Sequence, residues 1–456
     1  SIFNMTCMCV GSIIGGGIFG SLCLAVNYTG AGIFVAFIIA YILSITSTIP
    51  GLLPSSITPA ANGYYTILCR VLNPYFGVLE FANLITLCVL NVALASTFTE
   101  YFVALVPINP IFVTCAVIII VSALSLHGYS LGSKVQNVMT GILVLALLMF
   151  VILGLSHVSA DHLTLKAAIT PKFRSSTSAF AAIALLMNCL DGGDAAMILS
   201  DKIDNPRRGV LKTYFLSTSI VTVLYFLMSI IVVGVAPNAS NLSEVALCYM
   251  NKTQFSVFII FGALFGIITT INCITLTAAV RLDALSRDLV LPAVFSRKNK
   301  NNQPYVGLII ITAASLAIAI FNIPIGTLFS VLSALSLFTM AIQLLPILKL
   351  HKLYPHSWAH SPFKMPIWAV YTMIVIAFCF CMYQAYALVV ETNTGVWLAL
   401  LVVLLVFYTY FFIRKAYLAK KKNIDLIEIM RQPLSEWLEK ENYFKQLDEQ
   451  IGDVRN

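Results

Sequence analysis

The sequence predicts an all-α, polytopic membrane protein, and three observations carry that reading. Hydrophobic residues fill 59% of its 456 positions and charged residues 10%, against about 45–50% and about 25% in ordinary soluble domains. The apolar residues form continuous runs rather than alternating segments of about ten, which excludes a membrane β-barrel. Many runs also reach the roughly 20 residues that a helix needs to cross a bilayer core.

Runs bounded by proline, glycine or charge predict twelve spans, at 2–26, 30–53, 77–106, 111–126, 133–155, 176–199, 209–235, 254–284, 305–322, 325–348, 366–390 and 395–417. An even number places both chain ends on one side. Arg70, Lys134, Lys202, Arg207, Arg208, Arg281, Arg287, Lys349, Lys352, Arg414 and Lys420 to Lys422 then share that side, whereas the opposite loops hold Lys166, Lys172, Arg174 and Lys252. The positive-inside rule makes the basic side, with both termini, cytoplasmic. The formal charge of +8 is thus a topology signal at the ends of apolar runs and calls for no nucleic acid. No cleavable signal peptide is expected before the first span. The expected location is a plasma or bacterial inner membrane, with the lipid bilayer as surroundings.

The eleven cysteines sit mostly inside apolar runs, as Cys88, Cys189 and Cys381 do, without the paired spacing of a zinc site or a disulfide framework. They read as small packing residues, and neither metal nor cofactor is expected. No nucleophile set appears at membrane depth, so an enzyme is not expected. The stretch Leu53 to Pro74, with Pro54, Pro59, Asn62 and Gly63, reads as an interrupted inside loop bearing a short interfacial helix. Residues 423–456 interleave charge with Ile427, Leu434, Trp437 and Phe444, and predict a solvated amphipathic tail at the cytoplasmic surface.

Two spans carry breaks. Gly15-Gly16-Gly17 stands in the middle of the first, where each glycine costs a helix about 1 kcal/mol relative to alanine. Unwinding there frees N–H and C=O groups that protein, water or a ligand must satisfy at membrane depth; the plainer reading of the glycines is close helix packing. The sixth span is interrupted by Asn188-Cys189-Leu190-Asp191-Gly192-Gly193-Asp194. The first helix of spans 1–5 and the first of spans 6–10 are therefore both broken, the pattern of an inverted repeat around a central ligand site. A half-helix N-terminus suits a carboxylate and freed carbonyls suit an ammonium group, which together fit a zwitterionic amino acid.

These residues resemble the amino acid, polyamine and organocation transporter superfamily over nearly the whole chain. Gly11 to Phe19 resembles its glycine motif in the first helix, and Pro59, Gly63, Tyr64 and Tyr65 its Pro-x-x-Gly-Gly-x-Tyr segment with Asn62 replacing a glycine. Asp194 to Pro206 with Arg207 and Arg208, Arg281 to Asp288 with Leu291-Pro292, and Pro362 to Pro366 resemble further motifs in the right order. The resemblance implies a LeuT-like five-plus-five inverted repeat: residues 1–155, residues 156–322 continuing to about 350, two further helices in 351–418 and a tail at 419–456. It places a substrate carboxylate on the backbone of Gly15, Gly16 and Gly17, and its amino group on carbonyls at Ile13 or Ile14 and at Asn188, Leu190 and Asp191.

Departures limit what carries over. Asn188 stands where several relatives have an aromatic lid. Gly141 to Leu147 lacks the lysine that often replaces sodium in the fifth helix, and Val106 to Pro110 lacks the cysteine that bonds a heavy chain in heteromeric relatives, so no disulfide-linked heavy chain is expected.

Asp191 has three readings: a partner for a substrate amine, a site for a coupled proton or cation, or a cap on the helix that follows. Ser330, Ser333, Ser336 and Thr339 share one face of the tenth span and either line a pathway or bond their own helix; Asn91, Asn272 and Thr275 read as interhelical glue. Arg281, Arg287 and Asp288 read as inside ion pairs. The resulting expectation is a secondary active transporter of amino acids or related amines. The alternatives are an exchanger of an amino acid for its amine and a membrane amino acid sensor that moves nothing.

Overall fold

The computed structural model describes residues 2–57, 63–126, 133–159, 176–192, 206–301, 303–361 and 365–455. Pro59, Asn62, Lys166, Lys172, Arg174, the motif from Asp194 to Asn205 and Pro362 to Lys364 lie outside the described residues. Among those described, regular structure is entirely helical. Eight helical segments are long and apolar enough to cross a membrane, and the shorter apolar helices 110–126, 177–189 and 305–320 join them.

The first span is divided into α1 (Ile2–Ile13) and α2 (Gly16–Thr29). A short 3-10 turn leads into α3 (Ile33–Ile57), which runs through Pro50 and Pro54 past its expected end. The expected short helix follows as α4 (Gly63–Ile67), ending in a π turn at Leu68–Leu72. Next come α5 (Glu80–Val103), α6 (Pro110–Leu126) and α7 (Ser133–Leu155). The described part of the sixth span is α8 (Ser176–Cys189), and α9 (Pro206–Val235) follows.

On the far side, α10 (Leu242–Leu247) and α11 (Lys252–Val257) are capped by Asn241 and Asn251, whose side chains accept from Glu244 and Gln254 N–H. Two of the chain's Asn-x-Ser/Thr triplets thus have a capping role that accounts for the asparagine. A π-helical stretch, Phe258–Leu264, links α11 to α12 (Phe265–Arg287). The chain continues through α13 (Tyr305–Ile320), α14 (Ile325–Leu344), α15 (Ile347–Leu353), α16 (Pro355–Ala359), α17 (Ile367–Glu391) and α18 (Thr394–Lys422). Two tail helices close it, α19 (Leu426–Arg431) and α20 (Ser435–Arg455).

The packing centres on α8, which lies against α2, α3, α14 and α17; α1 packs on α7 and α9, and α5 on α12 and α14. The apolar core these helices share includes Ile14, Phe19, Leu94, Phe150, Leu186, Tyr225, Phe258 and Phe329, each fully buried or nearly so. In contrast, only 6% of the most apolar stretch of α18 is buried, a surface that matches lipid rather than water.

The tail is docked, not solvated as the sequence suggested. Trp437 is 1% exposed, set among Leu53 and Ile57 of α3, Val71, Leu350, Tyr354 and Ile374. Leu426 and Met430 are buried against Tyr65, Cys69, Phe81 and Leu285. Glu441 accepts from the backbone N–H of His356 and Ser357 at the start of α16, and Asp448 bridges His356 and His360. The alternation of charge with single apolar residues conceals this, because each buried tail residue needs only its own pocket on the bundle.

Candidate functional site

The first helix stops where the glycine run begins. Ile14 N–H still reaches Val10 O at 2.8 Å, but Gly15 N–H turns back to Ile13 O, also at 2.8 Å, and Gly15 is extended at φ −99°, ψ −162°. Helix α2 restarts at Gly16, so its first-turn N–H groups point into the interruption without intrahelical acceptors, at the positive end of the helix dipole.

Three helices close on this point. A Cβ on Gly15 would lie 2.6 Å from Thr270 Oγ1 of α12, and one on Gly16 would lie 2.2 Å from Leu94 Cδ2 of α5 and 3.1 Å from Ile267 of α12. A Cβ on Gly17 would stand 3.7 Å from the Cys189 Cα, at the end of α8. The glycines therefore serve both sequence readings: they let α5, α8 and α12 approach, and they bring backbone N–H groups to that meeting point. Ser21 ties the two broken helices together, donating to Gly17 O at 2.7 Å with Cys189 Sγ 2.9 Å away.

The freed carbonyls divide differently from the sequence expectation. Ile13 O accepts Gly15 N–H and the Tyr225 hydroxyl of α9 at 3.2 Å, which occupies both of its lone pairs. Ile14 O faces α12, 3.6 Å from the point where a Cβ on Gly266 would stand.

Helix α8 ends at Cys189, where the sequence places the second interruption. Leu190 N–H reaches back to Leu186 and Met187 O at 3.1 Å, and Gly192 adopts φ +110°, a conformation that favours glycine. Leu190 is buried in the core. Asp191 Oδ1 accepts Gly192 N–H at 2.9 Å, so the capping contact is made within the turn itself. Asn188 and Asp191, the latter exposed, line an open chamber of about 20 Å³ together with Met187 of α8, Ser44, Ser47 and Thr48 of α3 and Ser336, Leu337 and Met340 of α14. The predicted residues thus fall into two groups: Ile14 to Gly17 face α5, α8 and α12 with Ile13 tied to α9, while Asn188 and Asp191 face α3 and α14.

Other polar residues separate by function. Ser330 and Thr339 bond their own helix and Ser336 lines the chamber. Asn91 donates to Thr275 and Ser315, and Asn272 accepts from Ser125, so these join α5, α6, α12 and α13. Arg70 grips Asp288 through two bonds of 3.0 and 3.2 Å, Arg281 pairs with buried Glu80 at 3.1 Å and Arg287 with Asp283 at 2.7 Å. Among the described residues no three His, Cys, Asp or Glu gather as a metal site. Leu94, Ile267, Thr270 and Tyr225 had no distinguishing signal in the sequence, being ordinary residues of apolar spans.

Known proteins are similar in sequence over most of the chain. The chain is 24% identical over 438 residues to a methylthioribose transporter of Bacillus subtilis (strain 168), covering 90% of this chain and 92% of the relative. It is 23% identical over 437 residues, with the same coverage, to the branched-chain amino acid permease BcaP of that organism. It is 22% identical over 364 residues to the inner membrane transport protein YbaT of Escherichia coli (strain K12), covering 75% and 83%. Residues 1–412 match the amino acid permease family, and the chain belongs to that family, a group of multi-pass transporters of the amino acid, polyamine and organocation superfamily.

Proposed function

We propose that the protein is a secondary active transporter that moves amino acids or related amines by alternating access, with solute bound at the unwound centres of the first and sixth of twelve spans. The observation that supports this best is the interruption at Ile14 and Gly15, where the unbonded first turn of α2 meets α5, α8 and α12. A first-turn backbone at membrane depth suits an anionic group such as a solute carboxylate, contacted through Gly16, Gly17 and the turn at Gly15. The amino group is assigned to the carbonyls of Ile14 and of the α8 end at Asn188, Leu190 and Asp191. Ile13 takes a supporting place, since its carbonyl is already held by Tyr225.

The reading includes a five-plus-five inverted repeat, with residues 1–155 and the segment from 156 to about 350 as its halves and both termini cytoplasmic. The permease BcaP, a relative named for branched-chain amino acids, makes a neutral amino acid the first solute to try; the methylthioribose transporter adds a sugar-like thioether. The test is uptake of labelled neutral, cationic and acidic amino acids, amines and methylthioribose by proteoliposomes of the purified protein, empty or preloaded. Accumulation of one class supports the proposal, and dependence on preloading selects exchange. Saturable binding without flux would replace it with a sensor.

A further inference from the structure

Helix α18 ends in a block of positive charge that no carboxylate answers. Arg414, Lys415, Lys420, Lys421 and Lys422 stand close together in the chain, and no acid lies between Glu391 and Asp425. The same end of the bundle carries Arg70, Arg281 and Arg287, each paired with a carboxylate. Among the described residues the cations of α18 enter no salt bridge. The acid next in the chain, Asp425, is committed to capping α19, accepting Ile427 N–H at 2.9 Å. A topology bias explains why basic residues gather on one side of a membrane protein. It does not explain why one helix keeps its charges unpaired while neighbouring arginines are neutralised.

The charges are also held together rather than spread. Arg414 Cζ and Lys421 Nζ stand 5.6 and 5.9 Å from the centroid of one ring, Tyr417. Lys415 Nζ lies 5.2 Å over the ring of Tyr75 and donates to a tyrosine hydroxyl, that of Tyr75, at 2.8 Å. Arg414 is fixed through Nε, which donates to Leu289 O at 3.1 Å, and the rest of its guanidinium has no acceptor among the described residues. Like charges this close repel one another, and a ring face relieves only part of that. An anion held between them relieves the rest.

The surroundings identify what carries the anion. The apolar stretch of α18 that leads to the block is almost wholly uncovered, with Leu401, Leu405, Phe412 and Ile413 each more than half exposed. In a bilayer, acyl chains cover that face. Tyr75 and Tyr417 are exposed beside the cations, and such rings are enriched at the level of lipid headgroups. A lipid phosphate can meet the cations while its chains cover the apolar face, which a soluble anion cannot do.

We propose that the end of α18 from Arg414 to Lys422 binds the headgroup of an anionic phospholipid, whose acyl chains lie along the exposed apolar face of the same helix. The site reaches the bundle through Arg414 and Tyr410, which donate to Leu289 O and Val290 O in the turn that follows Asp288, the partner of Arg70. Leu289 has φ +60° in that turn, a conformation unfavourable for leucine, so an anion that fixes Arg414 steadies a strained turn. Lipid binding here does not depend on the solute reading.

The test is thermal unfolding of the purified full-length protein in neutral detergent, titrated with phosphatidylglycerol, phosphatidylcholine or inorganic phosphate at constant ionic strength. Wild type is compared with Lys420→Gln/Lys421→Gln/Lys422→Gln, or with Lys415→Gln/Lys421→Gln if the triple variant does not fold. The control is Arg297→Gln/Lys298→Gln/Lys300→Gln, which removes as many charges from the loop after α12. The expected result is a saturable rise of Tm with phosphatidylglycerol alone. Its half-saturating concentration should increase about tenfold or more in the α18 variant and stay unchanged in the loop variant. Equal shifts in both variants would reveal diffuse attraction to charge and overturn the site. So would no response of the wild type, or a response to phosphatidylcholine as large as to phosphatidylglycerol. An equal rise with inorganic phosphate would overturn the lipid as occupant.

Discussion

At the scale of single residues, Gly16 and Tyr225 control the interruption in opposite ways. A leucine at Gly16 would drive its Cβ to within 2.2 Å of Leu94 Cδ2, and forcing both side chains into that space costs about 1–3 kcal/mol. Because the first turn of α2 must shift, Gly16→Leu is expected to lower solute affinity about tenfold or more while the protein remains monodisperse in detergent. Binding at wild-type affinity would remove the carboxylate from this backbone. Gly16→Ala is expected to lose less, since Leu94 meets the added methyl with the far end of a flexible side chain. Tyr225→Phe removes the 3.2 Å bond to Ile13 O and leaves a buried carbonyl with one partner instead of two. A loss of about 1 kcal/mol is expected, read as a lower Tm in the same detergent. The glycine run was legible because its helix cost stands out against an apolar span; Leu94 and Tyr225 were not, because only the fold brings them to it.

At the scale of elements, the sequence reading succeeds where a boundary has a local cause and fails where it has a distant one. The expected span 133–155 coincides with α7, and 111–126 is within one residue of α6, since proline, glycine or charge in the sequence marks the ends of both runs. Helix α3 instead passes Pro50 and Pro54 and continues to Ile57, because Leu53 and Ile57 are buried under the tail and their packing outweighs the breaker residues. The ends of elements on the arginine-rich side are joined by ion pairs whose residues, but not whose partners, were visible. Arg70 in the π turn holds Asp288 at the end of α12 bidentately, with both side chains largely shielded. A double-mutant cycle of Arg70→Ala and Asp288→Ala is expected to give a coupling of about 1–3 kcal/mol, more than a surface pair provides. Additive single effects would mean that the two residues act independently. The pair Glu80 and Arg281 is predicted to be more asymmetric. Glu80 is 1% exposed and also accepts from Asn83, so Arg281→Ala leaves a buried carboxylate without its guanidinium partner and is expected to destabilise by about 3 kcal/mol.

At the scale of the whole molecule, the tail fastens elements that alternating access would move relative to one another. Trp437 alone touches a cluster drawn from α3, the π turn, α14, α15 and α17, and α19 buries Met430 close to the tightly packed Gly77. Replacing Trp437 with alanine removes a fully buried side chain, a loss of about 3–5 kcal/mol. That exceeds what Glu441 and the exposed part of Asp448 supply, so the tail is expected to leave the bundle as a unit. Limited proteolysis reads this directly: cleavage after Lys420 to Lys422 should become fast in Trp437→Ala while the spans stay protected. A chain ending at Asn423 is expected to keep solute uptake, because none of the residues at either interruption contacts the tail clusters. Its rate carries the further information. Faster uptake than wild type would show that undocking of α20 from α3 and α17 limits the transport cycle, an unchanged rate would leave the tail a stabilising element only, and abolished uptake with intact binding would make the docked tail part of the machinery itself.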